Sequence, residues 1–374
     1  MKGYINGIDF INMEAERYWS FPSSYKGDKA SEMKTMILGG DYMGAEKKDG
    51  MYGRFIKDED GNCFMISRTE SVTGEAINKI GHLPQLKDWM EIIPNGTCFL
   101  GEIYFPNNPG SRKVTTIMGC LEEKAVERQN KGEKLHYYIF DTLAYNGRTH
   151  MDIKAEHRFN CLDIIRVTEK NPYVEHAKYF SGEELENELA RVRAAGGEGI
   201  VITNKESFPT PGKRTARKTL KIKTELDSPI DCFLTGNWKP ATRLYKGDYI
   251  EDWMLWEDIR TGEKKQGLYY NDYKEGAAIE PISKAYYNGW ASAVELGLVD
   301  NEGNIHDVAW ISGITDDVKE GIVKQNDDWK YKVVMVNAMS IENDTKKFRH
   351  GRIVSWRNDK SWKDCEMTQL WDND

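Results

Sequence analysis

A chain of 374 residues, 39% hydrophobic and 11% aromatic, holds enough apolar material for two packed domains. No stretch reaches the ~20 apolar residues that cross a bilayer, and the start, MKGYINGIDF, lacks an apolar run behind a basic end, so no secretory leader is expected and a cytoplasmic location is. A net charge of −8 means that any nucleic-acid function must rest on local basic patches.

The first segment that carries chemistry is Glu46-Lys47-Lys48-Asp49-Gly50. Alone it is a charged turn, and its meaning depends on the residues further along the chain. MYGRFIK and NCFMISRT flank Asp58-Glu59-Asp60-Gly61 and predict a β-hairpin that carries Arg68 near its end. CFLGEIYF, from Cys98 to Phe105, predicts a buried strand whose Glu102 sits among apolar neighbours and needs a partner. The segments Leu121 to Lys131 and Ile153 to Val167 have helical spacing, and LHYYIFDT between them predicts a strand bearing Phe140. Ser181 and Glu184 form a capping-box signature before Leu185, Leu189 and Val192, a helix that ends at Gly196-Gly197. Glu198 then opens a strand, and Lys221 and Lys223 lie two apart on another, so that both ammonium groups share a face.

Asp227-Ser228-Pro229 marks a domain boundary, giving domains 1–227 and 228–374. Beyond it DCFLTGNW, YIEDWMLWEDI, QGLYYN, HDVAWISG, WKYKVVMVNAMSI and GRIVSWR predict short strands of a small antiparallel barrel. One amphipathic helix is expected near Ile282 to Leu296, and 242–304 is longer than a bare barrel needs, so it reads as an insertion. Two runs are locally basic: Lys213 to Lys223 has six basic residues and no acid, and Lys346 to Lys363 has seven against one aspartate. Alternating aromatic and β-branched residues in them suit strands with a basic face. Six scattered cysteines and seven histidines show no metal-ligand spacing, so no zinc site or disulfide framework is expected.

Lys47, Asp49, Gly50, Arg68, Glu102, Phe140, Glu198, Lys221 and Lys223, with Arg357 and Lys360 in Arg357-Asn358-Asp359-Lys360, form an ordered set. Their chemistry is coherent. A lysine with an unperturbed pKa of ~10.4 is neutral in only about one molecule in a thousand at pH 7. Neighbouring cations and a divalent metal would lower that pKa and favour nucleophilic attack on phosphorus. In this set and order the chain resembles the covalent nucleotidyltransferases, and among them the ATP-dependent DNA ligases, from about residue 25 to 365. The last motif, FRHGRIVSWRNDK, is similar to the ligase version.

The resemblance implies an α+β fold, an adenylation domain followed by an OB-fold β-barrel domain. It implies Lys47 as the nucleophile that carries AMP, with Asp49 and Gly50 in its turn. Arg68 would contact phosphate or the nicked strand, Glu102 the ribose, and Phe140 the adenine. Glu198 would bind Mg²⁺ (or Mn²⁺) with Glu102 beside it, and Lys221 and Lys223 would hold the α-phosphate. Arg357 and Lys360 would orient pyrophosphate. Two positions depart from the family. Tyr52 stands where an arginine is common, leaving Arg54, two residues on and on the same strand face, as its replacement. Ala45 stands where many ligases have glutamate, with Glu46 next to the lysine instead. The expectation is a minimal, monomeric, two-domain enzyme that uses ATP to seal nicked duplex DNA, without an extra DNA-encircling domain, as suits a phage or a bacterium. An RNA ligase, an mRNA-capping guanylyltransferase and a non-catalytic OB-fold nucleic-acid binder are the alternatives.

Overall fold

The computed structural model describes residues 2–373 except 23–27, 71–74, 108–110, 166–170, 224–225, 227, 248 and 343–344. The chain divides into two compact units, Met1–Thr224 and Glu225–Asp374. Asp227 of the expected boundary lies outside the described residues.

The first unit is built on two sheets. One has four strands: β1 (Trp19–Pro22), β2 (Tyr42–Glu46), β10 (Gly199–Asn204) and β11 (Thr219–Lys223), in the order β1-β11-β10-β2. The other runs β8-β7-β6-β3-β4-β5 from β3 (Met51–Lys57), β4 (Cys63–Glu70), β5 (Ala76–Asn78), β6 (Thr97–Tyr104), β7 (His136–Tyr145) and β8 (Arg148–Thr149). β9 (Val174–His176) joins β7 in parallel. The predicted hairpin is β3–β4. After α1 (Asp28–Leu38), helices α2 (Glu122–Lys131) and α3 (Ala155–Ile165) fall in the two segments of helical spacing.

Strand alternation decides what faces the interior of this unit. On β10 and β11, Ile200, Ile202, Leu220 and Ile222 are buried against Leu185 and Val192 of α4 (Glu183–Ala194). Val201, Thr203, Thr219 and Lys221 therefore take the opposite face and line a cavity. The expected capping box at α4 does not form. Gly182 is the N-cap at φ 61°, with no side-chain capping bond. Three acids in the first turn, Glu183, Glu184 and Glu186, complement the helix dipole instead.

Behind the larger sheet, Phe55, Trp89, Phe99 and Tyr137 pack into a core. Tyr137 organises it. Its hydroxyl lies 3.1 Å from the carbonyls of both Gly53 and Phe99 and accepts from the Phe55 amide at 3.3 Å. Its ring occupies the space above Gly101, where a Cβ would come within 2.4 Å of Tyr137 Cε2.

The second unit is built on β12 (Ile230–Pro240), β16 (Ala291–Val299), β17 (Ile305–Ile311), β18 (Val333–Asn337) and β19 (Arg352–Trp356). The strands run in the order β17-β16-β12-β18-β19, all antiparallel. Of the expected small antiparallel barrel, the strand pairings form this five-stranded sheet, and among the described residues none joins β17 to β19. A separate small sheet, β13 (Leu255–Asp258), β14 (Lys264–Gln266) and β15 (Ile279–Pro281), lies within 242–304. That range overshoots as an insertion, because β16 pairs with β12 at the centre of the main sheet. The expected helix at Ile282 to Leu296 shrinks to α5 (Lys284–Asn288), stopped by Gly289 in the left-handed conformation. The residues beyond it form the strand β16, most of them buried.

Candidate active site

The cavity encloses about 310 Å³. Lys47, just past β2, is tied to the next strand through its amide, which donates to Gly199 O at 2.8 Å. Its ammonium pairs with Glu198, a nearly buried carboxylate that also accepts from Lys223 Nζ at 3.2 Å. Burial drives Glu198 upward, but the charges of Lys47 and Lys223 outweigh it and hold the carboxyl below its usual value. Two glycines make these approaches possible. A Cβ on Gly50 would sit 2.1 Å from Ile103 O, and Gly199, at φ 132°, leaves the same clearance to Ile222 O.

Lys48 takes a different environment from its neighbour. Its Nζ lies 2.9 Å from Glu46 Oε1 and 5.3 Å from the ring centroids of both Tyr104 and Tyr138. The adjacent lysines are thus separated by partner: one with Glu198, the other with an aromatic pair and Glu46.

Across the cavity, Tyr52, Glu102 and Tyr138 are aligned on three neighbouring strands. Burial pushes Glu102 up to about 7, a rise restrained by Lys47 and augmented by Glu198. Lys221 is brought down to about 8, first by burial and then by Lys47 and Arg68. Arg68 stacks over the Tyr52 ring, its guanidinium carbon 4.9 Å from the centroid. A register shift between Leu100 and Gly101 gives β7 an extra residue there, and both Phe140 and Asp141 reach the cavity. Phe140 and Val201 both line it, from different sheets.

Of the residues expected at the site, Lys47, Gly50, Arg68, Glu102, Phe140 and Lys221 line the cavity. Glu198 and Lys223 reach it through their ion pairs. Asp49 stays in the β2–β3 turn and is not among the lining residues. Arg54 does not replace the missing arginine. It is buried, with Nη1 donating to Phe10 O at 2.5 Å and Met13 O at 2.6 Å and Nε donating to the Tyr52 hydroxyl at 3.3 Å. The strand-face argument holds, but two carbonyls of the N-terminal segment take the Nη1 end of that guanidinium. Arg357 and Lys360 lie in the second unit, where both pair with Asp231.

Sequence reasoning missed the far end of the cavity. Asp141 and Arg158 form a two-pronged ion pair at 2.9 and 3.0 Å. Glu16 accepts from Lys218 at 2.7 Å, and Tyr18 lines the same wall. Lys218 was visible as part of a basic run. Glu16 and Tyr18 carried no signal, because only long-range closure brings residues 16–18 against β11.

Over 92% of its length the chain shares the fold of 99% of a solved Lig E DNA ligase, described as DNA binding with a minimal scaffold, at a TM-score of 0.54 and 13% identity. The fold class is thus a nucleotidyltransferase domain followed by an OB-type domain. The chain belongs to the ATP dependent DNA ligase domain family, whose pattern matches residues 27–223. It is 25% identical over 167 residues to a DNA ligase of Haloarcula marismortui, covering 43% of this chain and 29% of that protein. It is 24% identical over 219 residues to a DNA ligase of Methanothrix thermoacetophila, covering 58% and 31%. The chain therefore spans about three tenths of the length of these relatives.

Proposed function

We propose that this chain is an ATP-dependent DNA ligase that seals nicks in duplex DNA through a Lys47–AMP intermediate, acting as a monomer in the cytoplasm. No helix of the described residues is long and apolar enough to cross a membrane. The observation that carries the reading is the placement of Lys47, paired with Glu198 beside Glu102 and Lys221 at a cavity lined by Phe140 and Val201.

Losing a proton to water, the Lys47 amine attacks the α-phosphorus of ATP. The N–P bond forms as the bond to the pyrophosphate oxygen breaks, and the second amine proton leaves. Lys221 and Lys223 neutralise charge on the α-phosphate, and Glu102 holds the ribose. AMP then passes to the 5′-phosphate of the nick. The 3′-hydroxyl displaces it, closing the phosphodiester.

Glu102 and Glu198 suit a divalent cation that keeps water and phosphate oxygens as its other ligands. Among the described residues no group of three or more acids, histidines or cysteines is placed to hold a metal by itself. Mg²⁺ or Mn²⁺ held there would supply charge neutralisation at the phosphates.

The test is intact-mass measurement after mixing with ATP. A gain of one AMP is expected, lost in Lys47→Ala and retained in Lys48→Ala. Labelling by GTP rather than ATP would indicate a capping enzyme, and no labelling by either would indicate a binding protein. AMP transfer only to RNA ends would indicate an RNA ligase.

A further inference from the structure

Asp231 is a buried acid at the start of β12, remote in sequence from the motif it serves. Both of its oxygens lie 3.1 Å from Arg357 Nη1, and Oδ2 also pairs with Lys360 Nζ. Its backbone is fixed on two sides. The ladder to β18 places it opposite Met335, while Gln369 accepts from its amide at 2.9 Å and donates to its carbonyl at 3.2 Å. The 357–360 turn is anchored as well, with Arg357 N donating to Val333 O at 2.9 Å. A buried carboxylate shared by two cations fixes their separation as well as their charge. The rest of the Arg357 guanidinium faces exposed Asp359, with Nε and Nη2 at 2.9 and 2.8 Å. The inner edge of the pair is thus held by the fold and the outer edge only by a side chain in solvent.

We propose that Asp231 is the positioning residue of the first step, holding Arg357 and Lys360 as a preformed pair for the leaving pyrophosphate. It touches no reacting atom and acts through those two side chains. The proposal rests on the ligase reading and on the pyrophosphate role of the pair.

Asp231→Asn keeps the volume and removes the charge. Displacing a positioned group by about 1 Å costs on the order of 100-fold in rate, so formation of enzyme–AMP should slow by about that factor. Sealing of a nick that already carries 5′-AMP, measured on the same preparation, should change by less than about 3-fold, since pyrophosphate takes no part there. In the Arg357→Met/Lys360→Met background, Asp231→Asn should add nothing to the first-step defect. Equal loss in both assays, an unchanged first step, or full additivity would each overturn the proposal. If Asp231→Asn does not fold, Asp231→Glu carries the same comparison, because it keeps the charge but moves it by one methylene. The underlying readings fail separately: the ligase reading by absence of AMP labelling in the wild type, the pyrophosphate role by Arg357→Ala and Lys360→Ala proteins that lose both steps alike.

Discussion

Replacing Glu102 with glutamine should make the unliganded first unit more stable in alkali while destroying its chemistry. The carboxyl is raised from 4.5 to about 7 mainly by burial, so ionising it in the fold costs about 3 kcal/mol more than in the unfolded chain. In the unfolded chain it loses its proton near 4.5, whereas in the fold it keeps the proton to about 7. Folding therefore takes up a proton between these values, and stability falls as pH rises through the window. Glutamine resembles the protonated acid and has no such slope. At pH 4 the two proteins should be nearly equally stable. At pH 8.5 Glu102→Gln should be ahead by about 3 kcal/mol. Urea unfolding read by hydrogen exchange in peptides of β3, β6 and β7 follows this unit by itself. AMP transfer by the variant should fall at least 100-fold, on the order expected when a charge-positioning group is lost. A stability difference that is the same at both pH values would refute the burial argument.

Other outcomes follow from the same geometry. Lys221 at about 8 is still a cation at neutral pH and loses its charge above it, so kcat/KM for ATP in AMP transfer should fall on the alkaline side, and Lys221→Arg should move that fall to higher pH. Arg54→Met strips buried bonds from two carbonyls and should cost about 3 kcal/mol of stability in chemical denaturation, while folded protein still labels with AMP; loss of labelling at full stability would restore Arg54 to the nucleotide site. Glu198→Ala leaves Lys47 and Lys223 facing each other and should slow enzyme–AMP formation about 100-fold or more; normal labelling in limiting Mg²⁺ would contradict the assigned role.

The site was legible where chemistry imposes a residue type at a fixed place on a strand. Glu102 among apolar neighbours and the alternate lysines of β11 could be read because strand periodicity assigns each a face. The Asp141–Arg158 and Glu16–Lys218 pairs could not, because each joins residues far apart in the chain that only tertiary closure brings together. Arg54 shows the limit of a face argument: the face was right, but the carbonyls of Phe10 and Met13 capture the guanidinium before it can reach the cavity. In the second unit, spacing of apolar residues could not separate a helix from the strand Ala291–Val299. Gly289 was the missed stop, and β16 is the strand that makes this segment part of the main sheet.

The Tyr137 ring over Gly101 has an evolutionary corollary. An aromatic at 137 and any side chain at 101 exclude one another, so the two positions cannot drift independently. Gly101→Ala in this background is a collision with the ring. Shrinking Tyr137 first would admit the methyl, but would forfeit a hydroxyl that bridges Gly53 of β3 and Phe99 of β6. Either single change is a step down, and only a joint replacement returns a filled, bonded interior. Among distant relatives these two sites should therefore vary as a pair, glycine travelling with tyrosine.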